Sequence, residues 1–157
     1  MPHDAAVITV SDRTAAGERA DASGPIARAA LEAAGFACRL LVVPDGEQSV
    51  AVALRAAVDA GDRLIITSGG TGVGPRDLTP EGTALVLDRQ LPGIGEEVRR
   101  RGSAETPGAL ISRGISGIAG RALIVNLPGS PAAVASGMPV VLAVAAHVLD
   151  QLDGGDH

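Results

Sequence analysis

A glycine-rich segment at residues 67–83, TSGGTGVGPRDLTPEGT, contains the residue types that bind phosphate groups. It has four glycines between Gly69 and Gly74, more than a tight turn needs, so its backbone can approach a ligand and offer N–H groups to an anion. Arg76 supplies a planar guanidinium for phosphate oxygens, but Asp77 beside it would repel them. An ordinary ion pair between Arg76 and Asp77 is the alternative. A carboxylate in an anion-binding loop therefore suggests a cation between it and the phosphate.

Two further carboxylates each follow a predicted strand. Asp12 comes after the apolar run at residues 5–10, and Asp45 comes after the run at residues 38–43. Taken singly, either residue is typical of a turn or a helix cap. In an open parallel sheet, however, ligands bind beyond the carboxyl ends of the strands, so both residues would lie on one edge with Asp77. Since Mg²⁺ binds one or two carboxylates together with substrate phosphates, these residues predict a magnesium and phosphate site.

A fourth polar segment, NLPGSP at residues 126–131, follows the apolar run at residues 122–125. It leads into a predicted helix with Pro131 in its first turn, and helix N-termini commonly bind anions. A well-capped helix without a ligand is the alternative for this segment. The candidate binding residues at the four strand ends are Ser11, Asp12, Ser68, Gly69, Gly70, Thr71, Gly72, Arg76, Asn126, Pro128, Gly129 and Ser130.

Alternating strands and helices position these loops. Apolar runs predict strands at residues 5–10, 38–43, 63–67, 109–112 and 122–125. Capping residues and helical spacing predict helices at residues 23–35 and 49–61, from a cap at Thr79, at residues 93–102, from Pro131, and at residues 139–152. The alternation predicts a parallel α/β sheet with helices on both faces. The length of 157 residues suits a single domain, residues 1–157.

Composition excludes several other kinds of chemistry. All 13 basic residues are arginine, so the chain has no lysine for a Walker A loop or a Schiff base. A net charge of −5 and a single aromatic residue, Phe36, argue against nucleic acid binding. Cys38 has no partner for an intrachain disulfide, and His3, His147 and His157 lie outside the glycine-rich segments. The remaining candidate chemistry relies on carboxylates, arginines and backbone groups.

The rest of the sequence predicts a soluble cytoplasmic protein. The N-terminus has no basic region followed by an apolar stretch, which argues against a signal peptide. The apolar run at residues 140–146 is too short to span a bilayer, so we expect no membrane contact. Residues 99–101, all arginine, are expected to face solvent at a helix C-terminus, and His147 and Cys38 are expected to be packing residues.

The same segments resemble a known protein family. The stretches VSDRTAAGERADASGP, VPD, SGGTGVGPRDLTPEGT and NLPGSP are similar to the molybdopterin-binding family of molybdenum cofactor biosynthesis. That family includes the bacterial Mog and MoaB proteins and the G domains of gephyrin and its plant counterpart. The resemblance covers about residues 5–152, and its pattern GGTG-x-x-PRD-x-TPE is long and specific.

The resemblance implies a three-layer α/β/α sandwich around a mostly parallel sheet, commonly assembled as a trimer. Active members join the terminal phosphate of molybdopterin to AMP from ATP with Mg²⁺, releasing pyrophosphate, and the product then receives molybdate from a molybdate-inserting enzyme. The family's functional aspartates map onto Asp45 and Asp77, which are the expected catalytic residues and metal ligands. Some members bind the pterin or act as scaffolds without catalysis, and the presence of both aspartates favours the enzyme. One departure is Gly46, where an acidic residue is frequent, although Glu47 follows it.

Overall fold

The computed structural model describes residues 4–156, and within that range the chain forms a mixed six-stranded sheet with six α-helices and one 3₁₀ helix. The strands are β1 (Asp4–Val10), β2 (Ala37–Val43), β3 (Leu64–Ser68), β4 (Arg89–Gln90), β5 (Ser116–Ala119) and β6 (Ala122–Leu127). The α-helices are α1 (Asp12–Ala15), α2 (Gly24–Ala33), α3 (Glu47–Asp59), α4 (Thr79–Ala84), α5 (Pro92–Glu105) and α6 (Pro131–Leu152), and the 3₁₀ helix covers Pro107–Ile111. His3 and His157 lie outside the described residues.

The sheet is mostly parallel, as the sequence predicts. Its strand order is β2-β1-β3-β6-β5-β4. The first four strands run parallel, with Val10 of β1 opposite Val43 of β2, whereas β5 is antiparallel to both β6 and β4. Parallel strands covered on both faces need continuous apolar sequence, and β3 and β6 are buried along their whole length. The carboxyl ends of four neighbouring strands therefore meet at one edge.

Two apolar cores, one on each face of the sheet, make the fold a three-layer α/β/α sandwich. Alternate residues of β1 point to opposite faces, so Val7 packs in one core and Ile8 in the other. The first core includes Leu31 of α2 and Met138 of α6, and the second includes Leu54 of α3. The architecture predicted from the alternation of elements and from the family resemblance is confirmed.

The last helix differs from its prediction. The sequence places a short helix before Pro139 and a second helix after it, but α6 is continuous through that proline. Proline removes one helical hydrogen bond and crowds the preceding turn of its own helix, but Pro139 lies on the exposed side of α6 between Met138 and Val140, whose burial in the core holds the helix through it. At 22 residues and a mean hydropathy of 2.0, α6 is long and apolar enough to cross a membrane, so the run at residues 140–146 belongs to a longer element than predicted. Its inner face packs on the sheet through buried residues such as Val141, which identifies α6 as one layer of the fold.

Several smaller predictions were wrong. Residues 109–112, predicted as a strand, lie largely in the 3₁₀ helix, and the short strands β4 and β5 were missed. The helix predicted to end at Gly102 continues to Glu105. Arg99 is half-buried and donates to the carbonyl oxygens of Ser112 (3.4 Å) and Gly114 (2.7 Å) rather than facing solvent. His147 is exposed on α6 and does not pack in the core. Cys38, by contrast, packs against the first core as predicted, although it is only partly buried, and burial raises the pKa of its thiol to about 11.

Candidate active site

A cavity of about 750 Å³ lies at the carboxyl edge of the sheet, where β1, β2 and β3 end and α6 begins. The predicted site residues that line it are Ser11, Asp12, Asp45, Ser68, Gly69, Gly70, Asp77, Gly129 and Ser130. The predicted residues that do not line it are Thr71, Gly72, Arg76, Asn126 and Pro128. All three candidate carboxylates of the sequence therefore face one cavity.

Asp12 and Asp45 are joined by two reciprocal hydrogen bonds, each from the backbone amide of one residue to the carboxylate of the other. The Asp12 amide donates to Asp45 Oδ2 (2.9 Å), and the Asp45 amide donates to Asp12 Oδ1 (3.1 Å). The pairing follows from the sheet, because each aspartate comes two residues after a strand end and those ends, Val10 and Val43, are opposite each other. Burial raises the pKa of Asp45 and outweighs the Asp12 amide hydrogen bond, and the charges of Asp12 and Asp77 raise it further.

Arg76 contacts Asp12, not Asp77. Its Nε and Nη2 donate to the two oxygens of Asp12 (3.0 and 2.9 Å), and Nη2 also donates to the Asp45 carbonyl oxygen (2.9 Å). The Arg76–Asp77 ion pair considered from the sequence is absent from the described residues. These hydrogen bonds hold the pKa of Asp12 below its ordinary value. Arg76 thus connects the glycine-rich loop to the loops after β1 and β2.

Glycine is required where the loop leaves β3. Gly69 and Gly70 have φ values of +106° and +66°, which favour glycine over any other residue. A Cβ on Gly69 would overlap the Val10 carbonyl oxygen, and one on Gly70 would overlap Thr79 Oγ1. The Gly70 N–H donates no hydrogen bond to the described residues, so it is available to a ligand in the cavity.

Asp77 is positioned by the same loop. Its Oδ2 accepts a hydrogen bond from the Gly74 amide (3.0 Å). A Cβ on Gly72 or Gly74 would lie 3.0 or 2.8 Å from that oxygen, so both glycines leave room for the carboxylate. In Asp45, as in Asp77, one oxygen is hydrogen-bonded and the other, Oδ1, accepts no hydrogen bond from the described residues.

The two free carboxylate oxygens fit a hard cation. Oxygen ligands are those that Mg²⁺ prefers, and it commonly takes its other ligands from substrate phosphates and water. Among residues 4–156, no group of three or more His, Cys, Asp or Glu side chains is placed to hold a metal ion. A magnesium ion here would therefore share its coordination between Asp45, Asp77 and a bound ligand.

Arg113 supports the loop and was missed by the sequence analysis. Its guanidinium donates to the carbonyl oxygens of Gly72 (2.8 Å) and Asp77 (2.7 Å) and to both oxygens of Glu81 (2.8 Å each). These hydrogen bonds from Arg113 lower the pKa of Glu81. No local pattern marks this arginine, because its partners lie at least 32 residues earlier in the chain.

Asn126 does not line the cavity but is buried inside the protein. It lies inside β6 with 2% of its surface exposed. Its Nδ2 donates to the hydroxyls of Thr67 and Thr83 (2.9 Å each), and its Oδ1 accepts from the Ile115 amide (3.1 Å). Both amide hydrogens and the amide oxygen of Asn126 are therefore hydrogen-bonded within the protein.

Three other predicted residues lie beside the cavity wall. The Pro128 carbonyl oxygen accepts a hydrogen bond from Ser68 Oγ (3.2 Å). The buried Thr71 hydroxyl accepts from Ser112 Oγ (3.2 Å), and the Gly72 carbonyl oxygen is held by Arg113. Their contacts support the loops that carry Gly70, Asp77 and Ser130.

Six further residues, from the end of β1, from α1 and from the segment after α1, form a cavity wall that the predicted site residues did not include. Thr9, Arg13, Thr14, Arg19, Asp21 and Ser23 all line the cavity. Asp21 accepts hydrogen bonds from Thr9 Oγ1 (2.8 Å) and from the Gly24 amide (2.9 Å), and the hydroxyls of Ser23 and Ser68 lie 3.0 Å apart. The family resemblance includes this segment, but its place on the cavity wall depends on the topology, because the segment returns across the end of β1 to begin α2.

Known proteins share this fold and these segments. Residues 6–147 match the family described as "Probable molybdopterin binding domain". A molybdenum cofactor biosynthesis bifunctional protein of Chlorobaculum tepidum is 38% identical over 153 residues, which are 97% of this chain and 49% of that protein's length. A molybdopterin adenylyltransferase of Pyrococcus furiosus is 37% identical over 148 residues, covering 91% of this chain and 87% of that protein.

A solved structure agrees with these sequence matches. The molybdopterin biosynthesis Mog protein from Mycobacterium ulcerans superposes with a TM-score of 0.92 and 46% identity, covering 98% of this chain and 99% of that one. Its similarity extends over both faces of the sheet and over the cavity edge, since nearly the whole of each chain is matched. The chain belongs to the molybdopterin-binding family of molybdenum cofactor biosynthesis.

Proposed function

We propose that the chain is a molybdopterin adenylyltransferase, which uses ATP and Mg²⁺ to convert molybdopterin into adenylyl-molybdopterin and pyrophosphate. The observation that carries the proposal is the meeting of Asp45 and Asp77 in one cavity, each with a free carboxylate oxygen, beside the free N–H of Gly70. The name of the Pyrococcus furiosus relative, most of whose length this chain covers, supports the same activity.

The reaction needs no nucleophile from the protein. An oxygen of the molybdopterin phosphate attacks the α-phosphorus of ATP, and the bond from that phosphorus to the oxygen bridging to the β-phosphorus breaks. Pyrophosphate leaves with the electron pair of that bond. The protein contributes by orienting two anionic reactants and stabilising their charge, which suits a cavity whose described lining contains no lysine or histidine.

The residues of the chain have separate tasks in this reaction. Gly69 and Gly70 let the backbone come close to a phosphate, and the Gly70 N–H donates to it. Asp45 and Asp77 hold Mg²⁺, which when bound neutralises phosphate charge that two carboxylates would otherwise repel. Ser130 Oγ caps α6 by accepting from the Ala133 amide (3.1 Å) and fixes the helix end at the cavity edge.

Replacing either aspartate tests the proposal. Purified protein is supplied with Mg·ATP and molybdopterin, and pyrophosphate release and adenylyl-molybdopterin are measured by a coupled assay and mass spectrometry. Asp45→Asn and Asp77→Asn should each lower turnover by at least about 100-fold, because charge stabilisation in the transition state is lost. Binding of molybdopterin should remain near the parental value. Asp59→Asn, which changes an exposed aspartate on α3, is the matched control and should leave turnover unchanged.

Two results would contradict this function. An Asp77→Asn protein that forms adenylylated product at the parental rate would remove Asp77 from the reaction. A parent protein that binds molybdopterin but releases no pyrophosphate from Mg·ATP would instead be a binding protein or scaffold of the same family.

The assembly and location of the protein are further parts of the proposal. The outer face of α6 is apolar and exposed at Pro139, Ala143, Val144 and Ala146, and only 39% of its most apolar window is buried. We propose that identical subunits cover such apolar surface in a homotrimer, which sedimentation equilibrium would test. We further propose a soluble cytoplasmic protein whose product passes to a molybdate-inserting enzyme, and which binds neither nucleic acid nor membranes.

A further inference from the structure

Most arginines of this chain are already paired within the protein. Near the cavity, Arg76 is bound to Asp12 and Arg113 to Glu81. Two arginines that line the cavity, Arg13 and Arg19, make no hydrogen bond or ion pair through their guanidinium groups with residues 4–156. Their positive charges are therefore available to a ligand.

The backbone holds these two cations in one short turn. The Glu18 amide donates to the Arg13 carbonyl oxygen (2.9 Å), and the Gly17 amide donates to the Thr14 carbonyl oxygen (3.1 Å). Arg19 directly follows the residue that closes the turn. The Glu18 carboxylate pairs with neither arginine in the described chain, and the carboxylates that line the cavity form no ion pair with them either. Both guanidinium groups therefore keep their donors free for an anion that enters the cavity.

We propose that Arg13 and Arg19 bind a phosphate group of a substrate in this cavity, and the inference rests on the proposed adenylyltransferase function. A guanidinium presents a planar set of donors that fits two phosphate oxygens, and two of them can share a dianionic phosphate. Arg76, the arginine of the glycine-rich loop, is occupied by Asp12 and Asp45 and serves to position those aspartates. The phosphate-binding arginines therefore come from α1 and from the segment that follows it.

A third unpaired arginine provides the matched control. Within the described chain, Arg89 also makes no side-chain hydrogen bond or ion pair and is exposed. It lies on β4, at the far end of the strand order from β2 and outside the cavity. Arg89→Gln removes the same charge as the cavity variants without touching the site.

Steady-state kinetics separates the two possible sources of the phosphate. KM for ATP and KM for molybdopterin are measured independently for Arg13→Gln, Arg19→Gln, the double variant and Arg89→Gln. Each single cavity variant should raise KM for one substrate about 10-fold, the usual effect of losing a hydrogen bond to a charged group, and leave kcat within a factor of about 3. The substrate whose KM rises carries the phosphate. Parental KM values for both substrates in the double variant would overturn the assignment.

A binding measurement keeps this inference separate from the proposed activity. Pyrophosphate, a small polyanion that fits a phosphate site, is titrated calorimetrically into the parent protein, the double variant and Arg89→Gln. The double variant should bind it at least about 10-fold more weakly, whereas the control should match the parent. If the parent makes no adenylylated product, the proposed adenylyltransferase function fails. The pyrophosphate titration then decides by itself whether Arg13 and Arg19 bind phosphate. Equal affinity of the parent and the double variant in that titration would then overturn the role of Arg13 and Arg19.

Discussion

Replacing Asn126 by alanine distinguishes a structural role for this residue from a ligand-binding role. The side chain makes three hydrogen bonds, with Thr67, Thr83 and Ile115, and it is 2% exposed. At about 1 kcal/mol for each bond, Asn126→Ala should lower the free energy of unfolding by about 3 kcal/mol. For a chain of this size, that loss corresponds to a fall in Tm of about 6–12 °C.

Urea unfolding followed by far-ultraviolet circular dichroism measures this loss. Fluorescence is unsuitable because the chain contains no tryptophan or tyrosine. The control is Gln90→Ala, which removes an exposed amide side chain from β4 and should change stability by less than about 0.5 kcal/mol. The affinity of folded Asn126→Ala protein for pyrophosphate should equal that of the parent. An unchanged urea midpoint together with lost pyrophosphate binding would refute the structural role and make Asn126 a ligand contact.

Three further predictions concern the glycine-rich loop. Gly70→Ala should lower the free energy of unfolding by roughly 2–4 kcal/mol, because a φ of +66° is strained for alanine and its Cβ would overlap Thr79 Oγ1. Thermal unfolding measures this loss, and a parental Tm would contradict it. Glu81→Gln should be less stable than the parent at neutral pH only. Arg113 lowers the pKa of Glu81 from its ordinary value of 4.5, so the ionised carboxylate stabilises the parent fully above pH 4.5. This stabilisation disappears as the pH falls through the lowered pKa. Urea titrations from pH 7 to pH 3 check that sign, and a difference independent of pH would contradict it. Arg113→Lys should lower turnover about 10-fold with little change in Tm. A single ammonium cannot contact all the carbonyl and carboxylate oxygens that fix the loop carrying Asp77. A parental kcat would contradict this positioning role.

The parallel part of the sheet could be predicted because its strands have an unambiguous pattern. The continuous apolar runs at residues 5–10 and 122–125 are what burial on both faces requires, and both lie within strands of the structure. The antiparallel part has no such signal. β5 reads SGIA and β4 has two exposed residues, so their strand conformation depends on pairing across the sheet and not on local preference.

The candidate site divides in the same way. Asp45, Asp77 and Gly70 could be found because each follows a predicted strand, and parallel strands bring their carboxyl ends together. The places of Arg13 on the cavity wall and of Arg113 behind the loop could not be found, because they depend on a turn and on contacts between distant segments. Asn126 was predicted to follow a strand, but β6 extends through it, and its side chain hydrogen-bonds to Thr67 and Thr83; a binding role for it stays a prediction.

The position of Asp45 has a consequence for how activity would fail under stress. Asp45 follows β2, which borders the sheet and pairs with β1 alone. Detachment of this outermost strand would draw Asp45 away from Asp77 while the remaining five strands stayed assembled. Heat or denaturant would then abolish catalysis before the protein unfolds, and amide exchange along residues 37–43 would report the loss. We therefore expect the temperature limit of activity to be set at β2, whose carboxyl end is held by the two hydrogen bonds between the amides and carboxylates of Asp12 and Asp45.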